Sequence, residues 1–340
     1  MSEQYKERKN YCRIKEKPDN NYLTKSNNDC IITINCDLIN LKLRMCVILV
    51  FRKRLSSLII VVLAAVLVFA ACGQPAPAPA PPTPTPDPTP APTVFRVGME
   101  AAYAPYNWTQ PDDSNGAVPI YGSPDFAHGY DVMIAKHLAA HAGFELQIVR
   151  LDWDSIIPAV QAGHIDAAIA GQSITARRLE VVDFTTPYFY ASIVVLVQAD
   201  GPFADAAGIS DLYGAVGTSQ INTVWYDVIL PQVPGAVIRP PQNSAPEMIV
   251  ALNAGAVDMV VTDMPTAMAA VIAHPNLVYL DFTYSDDPFH VTDEQTHIGI
   301  SVRQGNTELL DALNAGLATL TVDDFNRMMQ EAIAIQPLAG

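Results

Sequence analysis

Two charged residues stand at comparable points of two similar stretches. Residues 159–178 read AVQAGHIDAAIAGQSITARR, and residues 251–263 read ALNAGAVDMVVTD. The first leads through Gly171, Ser173 and Thr175 to Arg178; the second ends on Asp263. A planar guanidinium takes a carboxylate through two parallel hydrogen bonds, a geometry lysine does not reproduce. A carboxylate is the natural partner of an ammonium group. A cation on one segment and an anion on the other could therefore hold a small zwitterion between them. Taken alone, the same residues have plainer uses: Thr175 suits a helix N-cap, and Gly-x-x-Asp is common helix-to-strand punctuation.

The elements that must position these residues follow from the repeat. Ala159, Ala162, Gly163 and Asp166 recur as Ala251, Ala254, Gly255 and Asp258. Each copy reads as a helix stopped by a glycine, an Asp turn and a short buried strand, expected at residues 165–170 and 257–262. Ligands of open parallel sheets sit beyond the carboxyl ends of such strands. Upstream, residues 95–98 read as a first strand, 130–142 as an amphipathic helix stopped by Gly143, and 145–150 as a second strand. Residues 153–162 form the helix entering the first copy. Residues 193–198 read as a strand leaving this half, 213–216 start a new series, 297–302 return, and 307–320 close with a helix. Alternation of strand and helix predicts an α/β fold with mostly parallel sheets in two lobes, joined by two crossings.

Composition narrows the function classes. Of 340 residues, 50% are hydrophobic, enough for two ordinary cores. Up to Cys72 there are 12 Lys/Arg against 6 Asp/Glu; beyond it 8 against 29, a poor surface for nucleic acid. The five cysteines, Cys12, Cys30, Cys36, Cys46 and Cys72, all precede the globular part, so no disulfide framework supports it. His137 and His141 have helical metal-pair spacing but lack a third ligand, so neither a metal site nor a cofactor is expected. Asp152/Asp154 and Asp286/Asp287 read as solvated loop charges, and no nucleophile motif points to catalysis.

The first part of the chain reads as targeting. Residues 1–44 are polar, without a sustained apolar period, and fit a start assigned too early, with Met45 the better start; they are expected to be disordered. Arg52, Lys53 and Arg54 then precede LSSLIIVVLAAVLVFAAC, an export signal spanning residues 45–71, with an uncleaved membrane anchor as the alternative. Its end, Val68-Phe69-Ala70-Ala71-Cys72, resembles a bacterial lipoprotein signal, which implies lipidation of Cys72. Residues 72–93 alternate proline into a tether, about 3.1 Å per residue and so roughly 65 Å long when extended.

The motifs GYDVMIAKHLA, DWDSIIPAVQAGHIDAAIAGQSITARRLEVVDFTTPYF, GAVGTSQ, ALNAGAVDMVVTD and HIGISVRQGNTELLDALNAGL resemble, in order, those of polar amino-acid substrate-binding proteins of ABC importers. The resemblance implies a type II periplasmic-binding-protein-like fold, with lobe 1 at residues 94–196 plus 293–340 and lobe 2 at 197–292. It implies that Arg178 grips the ligand α-carboxylate, helped by Ser173 and by the turn carrying Thr218 and Ser219. Asp263 would take the α-ammonium beside the Gly171 carbonyl. Tyr103 and Trp153 would sandwich the side chain, as suits a cationic or flat group. Glu100, Asp131 and Gln220 match positions that face the distal charge of lysine, arginine or ornithine, although Asp131 also suits a helix N-terminal acid. Ala215 replaces the pocket lysine of glutamine binders, and residues 112–128 form an insertion of unassigned placement. The function implied is a monomeric, exported receptor, tethered through Cys72 to the outer face of the cytoplasmic membrane, that closes on an amino acid and delivers it to ABC permease domains. Two alternatives are a cyclohexadienyl or arogenate dehydratase-like enzyme on the same fold and a ligand-sensing module.

Overall fold

The computed structural model describes residues 93–337 and two short strands, Tyr22–Thr24 and Ile32–Ile34. The chain divides into units at Asp87/Pro88. In the first unit the two strands pair antiparallel, Tyr22 opposite Ile34, within a stretch expected to hold no element. Their Leu-Thr and Ile-Thr-Ile runs are rich in β-branched residues, which favour extended backbone. The export segment 45–71, Cys72 and residues 73–92 of the tether lie outside the described residues. Among the described residues no helix is long and apolar enough to cross a membrane.

The second unit is built on two five-stranded sheets. The first runs Val182–Phe184, Ser301–Arg303, Ala167–Ala168, Val94–Met99, Glu145–Arg150; the second runs Val237–Ile238, Val216–Thr218, Met259–Asp263, Ile193–Gln198, Leu277–Leu280. Each is mostly parallel with one reversed strand. Ser301–Arg303 opposes both neighbours in the first sheet, and Ile193–Gln198 opposes both in the second. Each reversed strand is the one that arrives after a crossing between lobes. The crossings themselves meet as an antiparallel pair, Phe189 opposite Ile298 and Tyr190 opposite His297, which forms the hinge. The first lobe boundary moves accordingly. Ile193–Gln198 is paired along its length within the second sheet, so lobe 2 begins before residue 193 and not at 197. An apolar run shows that a strand is buried but not which sheet buries it.

The repeat occupies equivalent places in the two lobes. Ala167–Ala168 and Met259–Asp263 are the middle strands of their sheets, each between the reversed strand and a parallel neighbour, Val94–Met99 in the first sheet and Val216–Thr218 in the second. The preceding helices, Ile156–Ala162 and Ala245–Asn253, are followed by Gly163 and Gly255 with φ of 73° and 69°, a conformation that suits glycine. The repeated Asp then does one job twice. Asp166 N donates to Arg96 O and its carboxylate accepts from Arg96 N at 2.8 Å; Asp258 N donates to Val216 O and its carboxylate accepts from Val216 N at 2.9 Å. Each Asp thus closes a reciprocal pair with the parallel neighbouring strand and pins the register. Asp166 also forms an ion pair with the Arg96 guanidinium.

Helix Tyr130–Ala142 and strand Glu145–Arg150 fall where periodicity and the Gly143 stop place them. Val132, Ile134, Ala135 and Leu138 bury one face of the helix against the first sheet and the C-terminal helices Thr307–Leu317 and Val322–Ile335. The returning segment at 297–302 is two strands, not one, interrupted at Gly299, where a Cβ would meet Ile174. The insertion at 112–128 completes a small four-stranded sheet with Ala102–Tyr103 and Asn107–Gln110. Ile120 bridges Ile148, so the insertion extends the edge of lobe 1.

Candidate functional site

The carboxyl ends of the middle strands face each other across a closed cleft. From lobe 1, Ala167–Ala168 runs on to Gly171, Ser173 and the short helix Ala176–Leu179, capped by Thr175, whose hydroxyl accepts from Arg178 N. The N-cap use of Thr175 and the positioning of Arg178 are therefore one arrangement. From lobe 2, Met259–Asp263 ends on Asp263, which caps helix Met264–Ala273 by accepting from Thr266 N at 3.0 Å.

Arg178 is half-buried. Its guanidinium lies over the Trp153 ring, 5.3 Å from the centroid, and donates to Ser173 O at 2.8 Å and Asn222 O at 3.1 Å. Among the described residues no carboxylate pairs with it. Burial lowers its pKa to about 10, with Arg177 adding to the fall, so it stays charged near neutrality. Neutral carbonyls and an indole face hold the cation in place while leaving its charge uncompensated.

Five hydrogen-bonded residue pairs join the lobes here. Tyr103 Oη donates to Asp263 Oδ2 at 2.7 Å; Gln220 Nε2 donates to the Glu100 carboxylate at 3.3 Å; Trp153 Nε1 donates to Ile221 O at 2.9 Å. Asn222 Nδ2 donates to Asp154 Oδ1 at 2.8 Å, and the Arg178–Asn222 bond is the fifth. Between them lies an inner chamber lined by Tyr103, Trp153, Gly171, Ser173, Arg178, Gln220, Thr223 and Trp225. Its free space, about 10 Å³, is close to what one water needs.

Six of the residues expected from sequence therefore line one chamber. Glu100 and Asp263 stand directly behind it, bonded to Gln220 and Tyr103. Burial pushes the Glu100 carboxyl up to about 7, and burial likewise raises Asp263. Thr218 and Ser219 are placed differently: their hydroxyls donate to Pro240 O and Val261 O, inside lobe 2. Asp131 is fully buried, and its carboxylate accepts from Tyr188 Oη at 2.6 Å and Asn107 Nδ2 at 2.7 Å. Tyr188 Oη in turn accepts from Gly171 N at 3.0 Å. Asp131 thus sits one hydrogen-bonded layer below the chamber, supporting its floor. The expected sandwich is also rearranged: Tyr103 stacks on Tyr106, 4.7 Å between centroids, and faces Trp225, while Trp153 carries Arg178. Gly171 has φ of 62°, and a Cβ there would lie 2.6 Å from the Tyr103 ring, so this approach requires glycine.

Thr223 and Trp225 were not legible as site residues. They follow Gln220 into a short irregular helix, Trp225–Ile229, where an aromatic reads as ordinary core.

Two lobes, two crossings and a polar cleft at the strand ends define a hinged receptor for a small solute. The chain belongs to the bacterial extracellular solute-binding proteins, family 3, whose description matches residues 95–332. Among its relatives, the L-cystine-binding protein TcyJ of Escherichia coli K12 is 26% identical over 69% of this chain and 80% of its own. The ABC transporter arginine-binding protein 1 of the same strain is 29% identical over 66% of this chain and 84% of its own. The arginine-bound form of truncated ArgBP from T. maritima matches with a TM-score of 0.55 and 31% identity, over 67% of this chain and 96% of that structure.

Proposed function

We propose that the protein is the amino-acid-binding component of an ABC importer, which captures a free amino acid by hinge closure. The observation that carries this is Arg178, a guanidinium held by carbonyls over Trp153 with no carboxylate partner among the described residues. It offers a planar anion receptor at the meeting point of the lobes. The ligand carboxylate binds there, and its ammonium goes to Asp263, replacing the Tyr103 phenol. Both contacts exist only with the lobes together, so the ligand favours the closed state. A relative named as an ABC transporter arginine-binding protein and others named for binding cystine and histidine support the reading, and the family match supports binding over catalysis.

A cationic side chain is the preferred ligand feature. Glu100, buried behind Gln220 at the inner end, supplies an acid, and the chamber supplies aromatic faces. The basic and apolar segment ending on Cys72, with the proline-rich stretch after it, supports export and a lipid anchor on the outer face of the cytoplasmic membrane. A monomer then presents its closed form to the permease.

The test of ligand class is a thermal-shift screen over the common amino acids. Arginine, lysine or ornithine should give the largest rise in Tm. A rise with neutral or acidic amino acids alone contradicts the cationic preference, and no rise with any contradicts the receptor reading. For the anchor, mass spectrometry of membrane-extracted protein should find a lipidated N-terminus at Cys72, and an unlipidated soluble product would refute it.

A further inference from the structure

Asp263 has more hydrogen-bond donors around it than it uses. Its carboxylate accepts from Tyr103 Oη at 2.7 Å and from Thr266 N at 3.0 Å. Two further hydroxyls beside it, those of Tyr106 and Thr266, are buried with no hydrogen-bond partner among the described residues. A buried hydroxyl left unpaired is destabilising, so each such group calls for a reason.

The Tyr106 ring is held in place. It stacks on Tyr103 at 4.7 Å between centroids and 14° between planes, and meets Tyr130 and Phe189 edge-on at 6.2 and 5.9 Å. A Cβ on Gly171 would lie 3.5 Å from its edge. Burial raises the Tyr106 pKa and the charge of Asp263 is the next cause, so the carboxylate is near although no hydrogen bond closes between them. Tyr103 lines the inner chamber and Tyr106 does not. One phenol therefore approaches Asp263 from the chamber wall and the other from the layer behind it. Phenylalanine at 106 would fill the same place in the stack and leave nothing unpaired. The hydroxyl's use thus lies in a state other than the one with Tyr103 on Asp263.

In the proposed function the ligand ammonium displaces the Tyr103 phenol from that carboxylate. Each carboxylate oxygen accepts two donors, so the ammonium and a second hydroxyl fit together. We propose that Tyr106 is a positioning residue of the ammonium site: its hydroxyl takes up Asp263 when the Tyr103 phenol leaves, and holds the carboxylate aimed at the ligand. This rests on the amino-acid reading of the inner site.

Two measurements on Tyr106→Phe test it. Thermal unfolding without added ligand should show a Tm unchanged or raised in the otherwise wild-type protein. In the Tyr103→Phe background, where the Tyr106 hydroxyl already holds Asp263, the same substitution should lower Tm by about 3 °C or more. Calorimetry with L-arginine, L-lysine, L-glutamine and L-histidine finds which of them the wild type binds, and Tyr106→Phe should weaken each of those at least about fivefold. A smaller loss of affinity, or a fall in Tm no greater in the Tyr103→Phe background than in the wild type, overturns the role of Tyr106 and leaves the inner site standing. Failure of all four amino acids to bind the folded wild-type protein overturns the inner reading, and this inference with it.

Discussion

Tyr103 and Asp263 meet across the cleft, the lobe 1 phenol donating to the lobe 2 carboxylate at 2.7 Å. The acceptor oxygen is the one proposed for the ligand ammonium, so the phenol competes for it. A hydrogen bond to a charged group contributes about 1.5–3 kcal/mol. Tyr103→Phe should therefore bind an amino acid as tightly as wild type or up to about tenfold more tightly. Tyr103→Ala should bind more weakly, having lost the aromatic wall. Calorimetry on the pair checks this; a tenfold loss in Tyr103→Phe would mean that the hydroxyl itself contacts the ligand.

Glu100 makes the site sensitive to pH. Burial holds its carboxyl at about 7, with Asp152 and Asp154 adding to the rise and the Gln220 bond opposing it. A carboxyl whose pKa rises on folding keeps its proton longer in the folded chain. Glu100 thus subtracts stability as pH climbs from the ordinary carboxylate range through about 7, and its effect is constant above that. A cationic ligand prefers the ionised form. Arginine affinity should fall by up to about tenfold per unit as pH drops below 7, and Glu100→Gln should flatten that part of the profile. Titrations between pH 5.5 and 8 decide; a flat wild-type profile places the distal charge elsewhere.

Asp131 is a support for the floor, not a wall of the chamber. Its carboxylate accepts from both Tyr188 and Asn107, and an amide can accept at only one oxygen. Asp131→Asn should cost about 1–3 kcal/mol, roughly 3–10 °C in Tm for a domain of this size. The ranking of ligands should stay the same. An unchanged Tm with a shift from cationic to neutral ligands would instead put Asp131 in contact with the ligand.

The repeated aspartates give a separate test of the two-lobe scaffold. Asp166→Ala and Asp258→Ala each leave a strand N–H without its acceptor, on Arg96 and Val216 respectively. Each should cost about 1–3 kcal/mol, and the double variant should show the sum, because the sites lie in different sheets. Denaturant unfolding measures this, and a marked departure from additivity would mean the two sites are coupled.

The parts of the fold legible in sequence were those with local causes. Helix Tyr130–Ala142 has its apolar spacing and its Gly143 stop, and the two Gly-x-x-Asp turns announce equivalent strands. Sheet membership has no local cause, so Ile193–Gln198 could be read as a buried strand but not assigned to lobe 2. The site divided in the same way. Arg178, Ser173, Gly171 and Gln220 lie in dense polar motifs that stand out from apolar surroundings. Trp225 enters the chamber only because the lobes close on it, and the inward turn of Thr218 and Ser219 depends on Pro240 and Val261, partners distant in the chain. Asp131 has the right type and place for a ligand contact, but Tyr188 and Asn107 take up its oxygens, which no spacing could reveal.

The proposed capture of the ligand depends most directly on Arg178. Calorimetry of wild type and Arg178→Ala with the amino acid that raises Tm most in the screen measures its role, with circular dichroism as the check on folding. Removing a bidentate, charge-assisted contact to a carboxylate in a closed cleft should weaken binding at least about a hundredfold, with the fold intact. Affinity within a few-fold of wild type in a folded Arg178→Ala protein would contradict the assignment of Arg178 as the carboxylate receptor.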